Sequence, residues 1–377
     1  CNIAHALEKT KYLLSAMHWR DLEDQYHFSC QFTADLIAMN SADFIITSTY
    51  QEIAGTETTV GQYESYSSFT MPGLMRVING IDIFDPKFNI VSPGADETVY
   101  YDYAAADRRL TALHEEIHEI IFGEPERTKR GRIPDDGKPL IFAMSRLDRI
   151  KNVSGLLRWY AESPRLRERA HLFLVAGTVD PNDSADDEER EQSRMMHELF
   201  ERYQLDGDVR WVSAMSDRVF NGELYRCIAD RRGVFVQPAL FEAFGLTVIE
   251  AMTTGLPTFA TCFGGPLEII EHGISGYHID PTQGADAAER LADFFQSCEE
   301  DPSNWREMSE AAKARIEARY TWRLYASRLL RLARIYGFWK FVTHIEREEQ
   351  RRYMDLLYGF VFRENARAIV PNVLAQE

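Results

Sequence analysis

The sequence predicts an α/β protein built on parallel sheets with helices on both faces, and three observations carry that expectation. Six short apolar segments, PLIFAM (139–144), AHLFLVAG (170–177), DVRWVSA (208–214), GVFVQPA (233–239), PTFATC (257–262) and SGYHID (275–280), alternate with helical stretches. Alternation of this kind implies a parallel sheet covered on both sides. Apolar residues at helical spacing over 26–40, followed by the buried-strand pattern DFIITST (43–49), point to an earlier unit of the same class. Finally, 377 residues, 45% of them hydrophobic, suffice for two or three domains that each bury a core.

Taken in order, the helix over 26–40 and the strand at 43–49 belong to a first domain that ends near residue 100. Residues 69–96 carry Pro, Gly and Asn at close intervals, which favours short strands and turns over a helix. An amphipathic helix is expected from Ala104 to Phe122, and TKRGRIPDDGK (128–138) reads as a polar, flexible connector. The second domain, with the six strands, runs over 139–325; its acidic stretch DPNDSADDEEREQ (180–192) reads as a solvated loop and helix start. Residues 326–377 read as C-terminal helices. The chain opens on CNIAHALEKTKY rather than on Met, which suggests the C-terminal part of something longer.

Charge and cysteine usage narrow the function. A net charge of −17 argues against nucleic acid or an anionic membrane surface as partner, because most of the exterior would repel phosphates. Any bound phosphate must then be met by a local cluster of cations. Five scattered cysteines without CxxC spacing suggest neither a disulfide framework nor a zinc ribbon, and fit a reducing cytoplasm. No run approaches the ~18 apolar residues of a membrane helix.

The most informative stretch is FEAFGLTVIEAMTTGLP (241–257). Glu242 and Glu250 stand eight apart, and the apolar run starting at Leu246 is stopped by Gly255 and Pro257. A helix that begins near Leu246 leaves the N–H groups of Gly245, Leu246 and Thr247 without intrahelical partners. That end favours an anion such as a diphosphate. Glu242 in the loop and Glu250 further along can each accept hydrogen bonds from hydroxyls, so a ligand with hydroxyls at both ends and phosphates between them, a nucleotide sugar, matches. The bland alternative is an amphipathic helix with a solvated glutamate. Because the loop follows the strand GVFVQPA, it lies at the carboxyl end of the sheet, where such folds bind ligands. SRLDRIKN (145–152) follows PLIFAM in the same way and puts Arg146 and Lys151 at that edge. Two fixed cations and a helix end could stabilise a departing diphosphate without a metal.

Other motifs carry less. HEEIH (114–118) matches the HExxH pattern of zinc peptidases, but its charged helix lacks a third ligand downstream and reads better as a solvated face. GRIPDDGKP (131–139) has the wrong spacing for a P-loop, and no GxGxxG follows the first strand of the second domain. Asn221 could read a base edge or cap the helix after it. Gly264 and Gly265 give a tight strand-to-helix turn.

With Arg146, Lys151, Glu242 and Glu250 assembled, the chain resembles the retaining, metal-independent glycosyltransferases of the GT-B architecture, with two Rossmann-like domains facing a cleft and a C-terminal helical return. More narrowly it resembles the sucrose synthases, through HALEKTKY (5–12), YHFSCQFTADL (26–36), NIVSPGAD (89–96), SRLDRIKN, NGELYR (221–226), the 237–261 stretch and YGFWKFV (336–342). The E-x7-E element is shared across the superfamily, whereas HALEKTKY, NIVSPGAD and YGFWKFV together are specific to the sucrose enzymes. The resemblance implies reversible glucosyl transfer between UDP- or ADP-glucose and fructose to give sucrose and the nucleoside diphosphate, with retention, no cofactor and no metal. It implies that Arg146 and Lys151 bind the diphosphate and that Glu242 contacts the glucosyl hydroxyls. Phe244, Gly245, Leu246 and Thr247 would line the donor, Glu250 would take the ribose hydroxyls, and His5 would touch the glucosyl unit. Met215 stands where plant members commonly carry Gln, which leaves ADP-glucose open beside UDP-glucose. A cytoplasmic homotetramer is implied as well. The rivals are a sucrose-phosphate synthase, disfavoured by Glu8 beside Lys9 where an arginine would be expected, a nucleotide-binding module without turnover, and a zinc hydrolase using His114 and His118.

Overall fold

A computed structural model describes residues 2–3, 24, 27, 30, 33–34, 37–38, 42–49, 88–343 and 348–369. The chain divides into two compact units, residues 1–92 with 323–377, and residues 93–322.

The first unit holds a three-stranded parallel sheet of β1 (Asn2–Ile3), β2 (Ile45–Thr47) and β3 (Phe88–Ile90), in that order. The DFIITST pattern is therefore a buried strand. Phe44, Ile46 and Val91 form its core with Tyr325, Leu329, Leu332 and Tyr336 from a C-terminal helix, and Phe44 stacks on Tyr336 at 4.7 Å. These positions recur every three to four residues, so a single stripe of that helix faces the sheet. Of the helix expected over 26–40, Cys30, Thr33, Ala34, Ile37 and Ala38 are helical and most of the rest lies outside the described residues.

The second unit is a seven-stranded sheet. Its members are β4 (Lys129–Arg130), β5 (Leu140–Ser145), β6 (His171–Ala176), β7 (Val209–Val212), β8 (Val234–Gln237), β9 (Thr258–Thr261) and β10 (Tyr277–Ile279), in the order β10-β9-β8-β5-β6-β7-β4. All are parallel except the edge strand β4. The helices are α1 (His114–Phe122), α2 (Val153–Glu162), α3 (Pro164–Arg169), α4 (Asp187–Tyr203), α5 (Arg218–Asp230), α6 (Leu246–Thr254), α7 (Pro266–Ile269), α8 (Gly284–Glu300) and α9 (Ser303–Arg319). After them come α10 (Trp322–Thr343), α11 (Glu348–Leu357) and α12 (Arg363–Ile369), whose residues from Arg323 onward belong to the first unit. One layer groups α2, α3, α4 and α8; the other groups α5, α6 and α9 with α1. Strands covered on both faces read as continuous apolar runs, which is why all six of them are legible in the sequence.

Two expectations need correction. The helix read as Ala104–Phe122 begins at His114; before it come two single 3-10 turns, Ala106–Arg108 and Thr111–Leu113. The connector 128–138 contains β4, paired antiparallel to β7 through Lys129 with Val212 and Arg130 with Trp211. Arg210, fully buried, anchors this edge by donating to the carbonyls of Ile120 (2.9 Å) and Gly131 (2.7 Å). The acidic stretch behaves as expected: Asp186 caps α4 by accepting from the N–H groups of Glu188 and Glu189. Among the described residues no helix is long and apolar enough to cross a membrane.

Candidate functional site

Strand order reverses beside β5: the chain moves outward through β6 and β7, then returns to β8 on the other side of β5. Ligands of open α/β sheets bind in the crevice at such a switch point, outside the carboxyl ends of the two strands. The loops that leave β5 and β8 are SRLDRIKN and PALFEAFG. Two hydrogen bonds tie them together, the backbone Leu240 N–H to the Ile150 carbonyl at 2.8 Å and the Asn152 side-chain Nδ2 to the Pro238 carbonyl at 3.0 Å.

Lys151 closes a 3-10 turn capped by Asp148, whose carboxylate accepts its N–H at 2.9 Å. Its ammonium donates to Glu242 Oε2 at 2.6 Å, with both side chains largely buried. Gln237, the last residue of β8, donates Nε2 to the same oxygen at 2.6 Å. The structure thus brings together Lys151 and Glu242, which are 91 residues apart. Arg146 is different: its side chain is 78% exposed and pairs with Asp148 at 3.0 Å.

Helix α6 starts after Gly245, which has φ +105 and supplies no side-chain cap. Left-handed backbone there is cheap only for glycine. The N–H groups at this end are open to an acceptor, Leu246 is exposed and Thr247 half-buried, and Phe244 is buried against the core. Gly264 and Gly265 act beyond a tight turn. They pack directly under the Glu242 loop, where Glu242 N–H donates to Phe263 O (3.1 Å) and Gly265 N–H to Glu242 O (2.8 Å).

Glu250 lies a turn into α6. Burial pushes its carboxyl up to about 7, while Arg218 and a hydrogen bond from Tyr100 pull the other way. Tyr100 is itself buried, so its phenol is held in the donor form. Such a carboxyl has a pH signature of known sign. The unfolded chain ionises near the ordinary 4.5 while the native state still holds the proton, so this group erodes stability as pH rises from 4.5 to about 7 and not beyond. Thermal unfolding of Glu250→Gln is expected to match wild type near pH 4.5 and exceed it by a constant margin above 7; a parallel pH dependence in both proteins would refute this.

Asn221 lies inside α5, and the cap of that helix is Asp217, which accepts from Val219 and Phe220, so the capping alternative for Asn221 is overturned. Instead its Nδ2 holds the Met215 carbonyl at 3.1 Å, and its Oδ1 is buried with no protein partner. His5 lies outside the described residues.

HEEIH is not a uniformly solvated face. His118 is exposed and meets Asp135 at 3.1 Å, but His114 bonds the buried Glu223 at 2.8 Å. His114, Glu223 and Cys227 bring ligand atoms within 4.8 Å of one another. A cation already stands among them: Arg109 donates Nε to Glu223 at 2.6 Å and places Nη2 3.4 Å from His114 and 3.7 Å from Cys227. Burial opposes the charge on Glu223, yet His114, Arg109 and Arg226 together hold its carboxyl below the ordinary glutamate value. The cluster pins residues 99–113 to α5, with Arg226 also donating to the Val99 carbonyl at 2.8 Å.

Residues 113–315, which include both switch-point loops, match the family model "Glycosyl transferases group 1", and residues 1–122 match "Sucrose synthase first GT-B domain". Solved structures of similar fold include a sucrose-phosphate synthase from Thermosynechococcus elongatus (TM-score 0.58, 23% identity, 88% of this chain and 66% of that one). Another is Anabaena HepE in complex with UDP and glucose (TM-score 0.56, 16% identity, 88% and 70%). The class is that of the group 1 glycosyltransferases with the GT-B fold. Within it, the chain is 57% identical over 371 residues to sucrose synthase 3 of Arabidopsis thaliana, covering 98% of this chain and 46% of that one. It is 58% identical over 374 residues to the sucrose synthase of Nitrosomonas europaea, covering 99% and 47%. The chain belongs to the sucrose synthase family. It spans about half the length of the curated relatives it matches.

Proposed function

We propose that the protein transfers glucose reversibly between a nucleoside diphosphate, UDP or ADP, and fructose, forming or cleaving sucrose with retention at the anomeric carbon. The observation that carries this reading is the Lys151–Glu242 contact of 2.6 Å at the switch point, beside the open N-terminus of α6, in a chain 57% identical to a sucrose synthase. Lys151 and Arg146 take the diphosphate together with the N–H groups at Gly245, Leu246 and Thr247, and Phe244 backs that turn. Glu242 accepts from the glucosyl hydroxyls, Glu250 from the ribose, and Asn221 lies toward the base. His5 takes the glucosyl contact that the family resemblance assigns to it.

In the synthetic direction the bond from the anomeric carbon to the diphosphate breaks. The fructose hydroxyl oxygen then bonds that carbon on the same face, and its proton passes to the departing phosphate oxygen. Fixed cations and helix-end N–H groups stabilise the charge that develops on the leaving group. A cytoplasmic homotetramer is part of the same reading. Sucrose formation from fructose with each donor, and sucrose cleavage with UDP and ADP, test it in the full-length protein. Hydrolysis of the donor without transfer to fructose would overturn it. Within this reading, Glu242→Gln removes an interaction made with the sugar, so kcat is expected to fall about 10²-fold while nucleotide Kd moves less than about threefold. Equal losses in both would remove the assigned role.

A further inference from the structure

Gln237 ends β8 and is 3% exposed. Its sequence context, GVFVQPA, reads as a buried strand, and nothing there marks it as functional. Its amide nitrogen nevertheless lies 2.6 Å from Glu242 Oε2, the oxygen that Lys151 also holds at 2.6 Å. The orientation of the amide is chemically fixed, since a carboxylate oxygen at that distance accepts from NH₂ and would repel the amide oxygen. That choice leaves Gln237 Oε1 buried without a partner. An unsatisfied buried acceptor is costly and uncommon, so the bond to Glu242 is kept at the expense of the amide's own oxygen. Among the described residues both donors to the Glu242 side chain converge on Oε2, and none is directed at Oε1.

We propose that Gln237 is a positioning residue for the transfer: with Lys151 it clamps one oxygen of Glu242, fixing the carboxylate so that the other oxygen is presented to the glucosyl hydroxyls. The inference rests on the reading of Glu242 as the sugar contact. The clamp works because two donors from different elements, Gln237 at the end of β8 and Lys151 in the 3-10 turn after β5, define the carboxylate's plane where one donor would let it rotate. Gln237 touches no reacting atom, so its effect passes entirely through Glu242.

The test is a double-mutant cycle in the full-length protein with Gln237→Met, which keeps the side chain's length and volume but removes the donor, and Glu242→Ala. Gln237→Met is expected to lower kcat about tenfold with nucleotide Kd within about twofold of wild type, and to cost nothing further in the Glu242→Ala background, because contacting residues that act as a unit are non-additive. If Glu242→Ala is impaired while Gln237→Met turns over like wild type, or if the two losses multiply, the clamp is overturned and the role of Glu242 stands. If Glu242→Ala itself turns over like wild type, the role of Glu242 falls and the clamp with it. A loss of kcat matched by equal losses of affinity and thermal stability would show a merely structural residue and also overturn it. Should Gln237→Met not fold, Gln237→Glu keeps the shape and turns the donor into an acceptor, and is expected to lose more turnover than any packing change of that size.

Discussion

Lys151→Met is expected to leave a folded protein whose turnover is lower by about 10³-fold and whose nucleotide affinity is lower by about tenfold. Fixed charges aimed at a developing anion are each worth about 10²–10³ in rate; in the proposed reading Lys151 is such a charge, and in the structure it also neutralises Glu242 at 2.6 Å. Taking it away leaves a largely buried carboxylate with only the neutral Gln237 as donor, an arrangement that costs about 1–3 kcal/mol of stability. The backbone should not move. Asp148 still caps the turn, and Asn152, held at φ +54, still reaches the Pro238 carbonyl. Arg146→Ala makes the contrast: its 78% exposed side chain and its surface pair with Asp148 give it little weight in stability, so its loss should be felt in nucleotide binding and rate alone. Steady-state kinetics and calorimetry with the nucleoside diphosphate read both arms. A Lys151→Met protein with wild-type kcat would remove the phosphate clamp from the mechanism.

What could be read from the residues follows a physical divide. Strands buried on both faces announce themselves as apolar runs, and from their alternation with helices come the parallel sheet and the placement of Lys151 and Glu242 at its carboxyl edge, whereas the strand order that makes this edge a switch point came only with the structure. The start of α6 was legible too, because Gly245 and Gly255 bracket it and both have positive φ. Contacts made by charged side chains across the fold were not. Arg109 reaches Glu223 from 114 residues away and draws the chain before α1 into two short turns, where the helical pattern alone predicts a continuous helix. Strand β4 is two polar residues long at a sheet edge, and the buried Arg210 that secures it reads as one more residue of β7. Tyr100 sits just after the turn-rich stretch 69–96, and its bond to Glu250 has no counterpart in local pattern. Gln237 was hidden for the opposite reason, a polar group inside a strand whose burial was correctly expected.

Gly264→Ala is expected to lower turnover at least about 10²-fold and to cost about 2–4 kcal/mol of stability. A Cβ on Gly264 would stand 1.9 Å from the Glu242 carbonyl oxygen, and backbone atoms cannot rotate away as a long side chain can. To reach ordinary contact at 3.4 Å the loop must retreat by about 1.5 Å. That motion pulls on the Gly265–Glu242 bond of 2.8 Å and shifts Glu242 relative to Lys151, while a 1 Å misplacement of a positioned group can cost about 10² in rate. The left-handed φ of +98 at Gly264 adds strain of about 1–3 kcal/mol for any other residue. Gly273→Ala separates the two causes. Its φ is +79, but an added Cβ meets nothing within 4 Å, so it should lose stability by about 1–3 kcal/mol through strain alone and keep its turnover. Chemical denaturation and kinetics on the pair decide the matter: if Gly264→Ala lost no more activity than Gly273→Ala, the glycine pair would be only a turn, and the register of the Glu242 loop would have to be set elsewhere.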